Sequence, residues 1–211
     1  MIARYAACAI GAFLIGSIPF GLVIGRLFYG TDIRRSGSGN IGAMNALRTI
    51  GKTGAAAVLL LDALKGFVPA LLVMRLLHDP RLAAIVAACA VLGHCFSPWL
   101  AFKGGKGVAT SLGAVFALSW PSGLVMIAAW LAGALPTTYS SAGSMLAHVA
   151  APIALWYFTR NPWLTGYGIL AAVVVLYTHR ENIVRISRGQ EKGIPFLKSR
   201  GGRGSAASPE P

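Results

Sequence analysis

Acidic residues are scarce in this chain: six among 211, set against nineteen lysines and arginines, for a net charge of +13. Charged residues of both signs make up only 12% and apolar residues 55%, with a mean hydropathy of +0.65, far from the balance of an average soluble domain. No polar stretch is long enough to form a separate soluble domain. Cysteine is scarce too. Cys8, Cys89 and Cys95 form no CxxC and have no matching His spacing, which excludes a zinc site and a disulfide framework and leaves them as small apolar fillers. Neither a GxSxG nucleophile elbow nor a metal-binding HExxH occurs, and no His is followed five residues later by Asp. Without covalent machinery, metal or cofactor, any chemistry has to come from binding and positioning.

What the chain has in abundance is apolar runs, at residues 6–25, 54–77, 82–100, 107–135, 145–158 and 163–178. Several are long enough to cross a hydrocarbon core of about 30 Å, so the chain reads as an all-α, polytopic membrane protein in a lipid bilayer. The first run is read as a retained span: the one small-x-small triplet near it, Ala7-Cys8-Ala9, comes before any apolar core has accumulated. Within the fourth run, Ser119-Trp120-Pro121-Ser122-Gly123 breaks the helix, since Pro and Gly disrupt a helix interior. Two helices there give seven spans in all. Five spans plus short or re-entrant helices is the alternative.

Basic residues assign the sides. Fourteen of the nineteen fall in three segments: the first long connection (Arg26, Arg34, Arg35, Arg48, Lys52), a second loop (Lys103, Lys106) and the C-terminal region. Lys and Arg gather in cytoplasmic loops, so all three segments on that side require the N-terminus outside and the C-terminus in the cytoplasm. Residues 1–198 form one membrane domain on this reading. The Gly/Ser/Ala/Pro-rich tail, 199–211, is expected to be disordered.

Each basic segment has the makings of an anion site. In the first, Gly37-Ser38-Gly39-Asn40-Ile41-Gly42 formally matches GxGxxG, but that fingerprint has meaning only between a strand and a helix. Here a membrane helix precedes it. What survives is a glycine loop with free backbone N–H groups, Ser38, Asn40 and Asn45 nearby, and Arg48 about two helical turns on; such nests bind anions. The second segment, Phe102-Lys103-Gly104-Gly105-Lys106-Gly107, runs into an apolar helix carrying Thr110. It is not a Walker A loop, because Gly107 rather than Ser or Thr follows Lys106. Neither a nucleotide nor a nucleic-acid partner is implied. Glycines admit an oxyanion, a helix N-terminus adds its dipole, and lysine adds point charge; the plainer alternative is a cytoplasmic loop with a helix start. In the third, His179 and Asn182 are i, i+3 neighbours able to share a face, or else an ordinary amphipathic end to the last span.

Other features are read more simply. Asp62 and Lys65, three apart within the second span, form either a structural pair or, through Lys65, one wall of an anionic cavity, because intramembrane charges are costly and usually pair or face polar space. Gly21 to Gly25 fits a GxxxG close-packing face, with Ser17 and Pro19 marking a kink. Trp120, Trp130, Trp156 and Trp163 are interfacial anchors. His78 and His148 have no partners in the sequence and receive no chemistry.

Taken together, RSGSGNIGAMNALRTIGKTG, GHCFSPWLAFKGGKGVATSLG and HRENIVRISRGQEKG resemble the three signature motifs of the bacterial acyl-phosphate:glycerol-3-phosphate acyltransferase family, and LLLDALKG between the first two also fits. The likeness in order and spacing runs to about Gly193. It implies a protein of the bacterial inner membrane with its active site facing the cytoplasm. There it would transfer a fatty acyl group from acyl phosphate to the 1-hydroxyl of glycerol 3-phosphate, giving lysophosphatidic acid and phosphate. An enzyme supplying acyl phosphate is the partner implied. By the same resemblance Ser38, Arg48, Lys106, His179 and Asn182 surround the substrates, and Gly104, Gly105, Gly107 and Thr110 hold phosphate, with Asn40, Asn45, Lys65 and Lys103 lining the site. Two positions depart from the family pattern: Met44 replaces a Thr before Asn45, and Ser97 separates Phe96 from Pro98. The rivals are an anion or phosphate-ester transporter, disfavoured because the basic elements lie in loops on one face and no repeat is seen, and a non-catalytic lipid-binding scaffold using its basic loops on anionic headgroups.

Overall fold

A computed structural model of the chain describes residues 1–198 and is helical throughout, with no strand among them. The tail expected to be disordered, 199–211, lies outside the described residues. Helix α1 (Ile2–Gly16) ends where Pro19 withdraws an amide donor, and α2 (Phe20–Tyr29) resumes after it, as the Ser17–Pro19 kink predicts. A polar connection follows, holding the short α3 (Ala43–Thr49). Then come α4 (Gly51–Leu72), extended by a π-helical turn Val73–Leu77, and α5 (Pro80–Cys95). The expected break is present, since α6 (Val108–Leu118) and α7 (Trp120–Thr137) are separated at Ser119, whose hydroxyl lies 2.8 Å from that of Ser122. The last elements are α8 (Ser140–Thr159), α9 (Pro162–Thr178), α10 (Arg180–Ser187) and α11 (Pro195–Lys198).

Among the described residues four helical runs are long and apolar enough to cross a membrane: Ile2–Tyr29, Gly51–Leu77, Pro80–Leu100 and Trp120–Thr137. A fifth appears if α9 and α10, bent by 55° at His179, count as one span. Helix α6 is apolar but only 11 residues long, and α8 carries serines and a buried His148 through its middle. Length and composition therefore qualify four or five crossings among the described residues, short of the seven that the sequence reading expects.

Packing explains which helices touch. Gly66 of α4 and Gly113 of α6 leave no room for a Cβ: one added at Gly66 would lie 2.0 Å from the Thr110 carbonyl oxygen, and one at Gly113 would lie 2.1 Å from that of Ala63. Without side chains at those positions α4 and α6 approach backbone to backbone, as small residues allow between membrane helices. The Gly21–Gly25 face packs as tightly, but against the polar connection rather than another helix: a Cβ at Gly21 would strike the Ile41 carbonyl, and one at Gly25 would strike that of Thr31. That contact anchors the first glycine loop to α2. Trp120, Trp156 and Trp163 are exposed at helix ends, as interfacial anchors require, whereas Trp130 is half-buried against the core.

Candidate active site

The loop after α2 is built around one side chain. Asn45 is 2% exposed, and its amide is fully engaged: Nδ2 donates to the carbonyls of Ile33 (2.7 Å) and Asn40 (2.8 Å), and Oδ1 accepts from the Ser38 amide at 2.6 Å. Gly37 has φ +66, a left-handed conformation suited to glycine, and a Cβ there would meet Asn45 Oδ1 at 2.2 Å. Asn40 Oδ1 accepts from the Gly42 amide at 2.9 Å, an Asx turn that closes the loop. Asn40 and Asn45 thus shape the loop, and Ser38 is exposed at its tip. Met44, on the first turn of α3, is half-buried.

The second loop is shaped differently from what its glycines predict. The Gly104 and Gly105 amides donate to the carbonyls of Cys95 (3.0 Å) and His94 (2.9 Å) at the end of α5, so neither is turned outward to an oxyanion. Their lack of a side chain serves packing instead, since a Cβ at Gly105 would lie 2.1 Å from His94 Nε2. Gly107, at φ +84, then turns the chain into α6. Thr110 is fully buried in the first turn of that helix, and its hydroxyl has no hydrogen-bond partner among the described residues. The inserted Ser97 donates to the Ser17 carbonyl at 2.7 Å, so the altered order ties this loop to the α1–α2 break.

Lys106 leads from that loop to the third segment. Its ammonium donates to Asn182 Oδ1 on α10, and its carbonyl accepts from the Thr178 hydroxyl at 3.1 Å. Burial, reinforced by the Arg185 guanidinium, lowers the Lys106 pKa to about 8. His179 stands at the α9–α10 bend, 3% exposed, with Nδ1 2.8 Å from the Val175 carbonyl, an arrangement that leaves Nε2 as the outward nitrogen.

Glu191 joins these parts, and motif reading missed it. The left-handed Gly189, φ +66, follows α10 and turns the chain back, and the Ile194 amide pins the returning segment to the Thr138 carbonyl at 2.8 Å. Glu191 Oε1 accepts from Asn182 Nδ2 (2.6 Å) and the Ser141 hydroxyl (2.8 Å), and Oε2 accepts from Arg185 Nε (2.8 Å). Burial alone would raise its pKa, but these donors outweigh it and hold the carboxylate below its ordinary value. Next in sequence, the Lys192 and Gly193 carbonyls accept from Arg48 NH2 at 3.2 and 3.3 Å, and Lys192 Nζ donates to the Gly37 carbonyl at 2.6 Å. One short segment therefore links all three basic motifs. The signal for Glu191 was present in the composition, where an acid in a chain this basic stands out.

Two residues stay apart from this assembly. Lys103 is exposed and makes no side-chain hydrogen bond or ion pair among the described residues. Lys65 sits inside the bundle, 2.7 Å from Asp62 Oδ1 and 2.8 Å from the Ile18 carbonyl, which is the structural pair and not a wall of the cluster. His148 has acquired a partner from another helix, with Ser111 Oγ of α6 2.7 Å from its Nε2, while its Nδ1 lies 2.7 Å from the Ser144 carbonyl one turn back on α8.

The family model for glycerol-3-phosphate acyltransferases matches residues 6–189. The chain belongs to that family. Glycerol-3-phosphate acyltransferases similar to it include one from Rhodopseudomonas palustris (strain BisB5), 44% identical over 92% of this chain and 98% of that one, and one from Brucella suis (strain ATCC 23445 / NCTC 10510), 48% identical over 86% and 89%. Among solved structures it resembles PlsY, an integral membrane glycerol 3-phosphate acyltransferase, at 38% identity. The TM-score is 0.88 for the glycerol 3-phosphate form, covering 94% of this chain and 99% of that one, and 0.85 for the lysophosphatidic acid form. Membership makes the chain a membrane acyltransferase, all-helical over the described residues. The transporter alternative is not favoured.

Proposed function

We propose that the chain acylates the 1-hydroxyl of glycerol 3-phosphate with acyl phosphate as donor, on the cytoplasmic side of the bacterial inner membrane. The observation that carries this reading is the convergence of Arg48, Lys106 and Asn182 on the Glu191–Gly193 segment, Lys106 through Asn182, with His179 at the neighbouring bend and Ser38 at the tip of the adjoining loop. The printed descriptions of the PlsY structures, one with glycerol 3-phosphate and one with lysophosphatidic acid, support substrate and product. Lys106 and Arg48 with Ser38 clamp phosphate, Gly107 and Thr110 present the positive end of α6, and Asn182 with His179 aligns the glycerol. The hydroxyl oxygen attacks the acyl carbonyl, the bond from carbonyl carbon to phosphate oxygen breaks, and phosphate leaves while one of its oxygens takes the hydroxyl proton. Attack is direct, with no acyl-enzyme. An already activated electrophile suits a site that offers orientation and charge alone. Residues 1–198 act as a single domain with the N-terminus outside and an odd number of crossings, which parity of the three basic segments supports.

The test is purified protein in lipid with glycerol 3-phosphate and palmitoyl phosphate, acyl-CoA or acyl-carrier protein, following lysophosphatidic acid and released phosphate. Product from palmitoyl phosphate alone is expected. Product only from a thioester donor would overturn the reading of the donor.

Lys106 also sets a pH limit. Its ammonium is charged below about 8 and neutral above, while glycerol 3-phosphate is already a dianion there, its second ionisation being near about 6. The kcat/KM for glycerol 3-phosphate should therefore fall as pH rises through about 8, by about tenfold per unit at the alkaline end, because kcat/KM reports ionisations of the free enzyme. A profile flat to pH 10 would remove the charge on Lys106 from the binding step.

A further inference from the structure

Three ionisable side chains lie inside the bundle, away from the assembly described above. Asp62 and Lys65 on α4 are 1% and 4% exposed, and His94 on α5 is 4% exposed. Charges at such depth cost several kcal/mol unless paired, and in membrane helices they mark function. Two of the contacts here concern the backbone of other elements. Lys65 Nζ bridges Asp62 Oδ1 (2.7 Å) and the Ile18 carbonyl (2.8 Å) at the α1–α2 break, where that carbonyl also accepts from the Phe20 amide at 3.1 Å. Asp62 Oδ1 in turn lies 3.6 Å from His94 Nδ1. The other edge of the same imidazole, Nε2, abuts Gly105, and the His94 carbonyl accepts the Gly105 amide. A continuous line of contacts thus runs from the α1–α2 break through Lys65, Asp62 and His94 to the residue immediately before Lys106.

We propose that Asp62, Lys65 and His94 are positioning residues for acyl transfer: they hold the His94 imidazole as a wall beneath Gly105, and so set where Lys106 meets phosphate. This rests on the phosphate-binding role given to Lys106. The ion pair supplies a stop that an apolar side chain would not, because a fixed carboxylate oxygen stands 3.6 Å from one edge of the ring and backbone presses the other. Gly105 is then required for a specific reason. Any Cβ collides with Nε2, and since the ring cannot retreat toward Asp62, the loop has to move and carry Lys106 with it.

The experiment measures kcat, KM for glycerol 3-phosphate and thermal melting for Lys106→Ala, Gly105→Ala, His94→Ala, Asp62→Asn and the double variant His94→Ala/Gly105→Ala. Gly105→Ala is expected to raise KM at least tenfold with a smaller change in kcat. Asp62→Asn, nearly isosteric, should raise KM several-fold; it also strands the buried Lys65 ammonium and lowers the melting temperature, so KM is read well below both transitions. In the double variant the space vacated by the imidazole admits the new methyl, so KM should return to within about threefold of His94→Ala alone, a non-additivity that contacting sites show. Additive effects in the double variant overturn the wall, and that arm decides even if Asp62→Asn fails to fold. If Lys106→Ala is inactive while Gly105→Ala and Asp62→Asn keep wild-type KM, the positioning role fails and the reading of the site stands. Lys106→Ala with wild-type kcat/KM would instead overturn the reading of the site itself.

Discussion

Lys106→Ala should lose about 10³-fold or more in kcat/KM, close to 4 kcal/mol of transition-state stabilisation, with the helices intact. Two effects add in that loss. Among the described residues the ammonium is the one cation whose side chain binds directly to Asn182, so alanine removes the point charge facing phosphate and frees the amide that aligns the acceptor hydroxyl. Removing one preorganised donor from a site that stabilises developing charge typically costs about 10²–10³ in rate, and loss of the Asn182 contact deepens it. Folding should suffer little, because the Lys106 carbonyl keeps its bond to Thr178 and the Gly104 and Gly105 amides keep theirs to α5. Lys106→Arg discriminates further. Guanidinium retains charge but is a planar fork unsuited to the position of a single ammonium, so activity should stay at least tenfold below wild type. A headgroup-binding scaffold would tolerate that change. Lysophosphatidic acid formation with palmitoyl phosphate, measured beside melting curves, checks both variants; Lys106→Ala within a factor of about three of wild type would end the phosphate role.

What could be read in the chain and what could not divides along sequence separation. The α6–α7 break was legible because Pro121 and Gly123 act on their own backbone, and so was the α1–α2 kink at Pro19. The three basic segments were legible as anion sites because glycine, lysine and arginine carry their meaning locally. Partnership was not. The Gly21–Gly25 face looked like a helix-packing motif, yet the carbonyls it accommodates belong to Thr31 and Ile41 in the polar connection. Gly104 and Gly105 looked like an open phosphate loop, yet their amides are committed to His94 and Cys95. Asn45 looked like a substrate ligand, and the structure uses all of its side-chain amide to build the loop. For the glycines, close approach to backbone follows from the residue type, and which backbone is decided by the fold; for Asn45 the fold decides that its amide meets backbone at all.

Glu191→Ala is expected to be the second large effect, and it should differ in kind from Lys106→Ala by costing both activity and stability. One buried carboxylate accepts from Ser141 on α8, from Asn182 and from Arg185 on α10. Its removal strands all three donors and leaves Arg185 facing Arg48 and Lys106 with one negative charge fewer between them. Breaking a buried ion pair by deleting one partner costs about 3–5 kcal/mol, so the melting temperature should fall clearly and activity by at least about 10²-fold as Asn182 loses its anchor and Arg48 loses the order of the 192–193 carbonyls. Glu191→Gln separates charge from shape. It keeps an acceptor for Asn182 or Ser141 but not the ion pair, so it should fall between wild type and alanine in both measurements. Arg185→Ala should not reproduce the full loss, because Asn182 and Ser141 still satisfy Oε1. A Glu191→Ala protein with wild-type melting and a wild-type rate would show that the segment joining the three motifs is held by Ile194 and the backbone alone, and the convergence of Arg48, Lys106 and Asn182 would then need another cause.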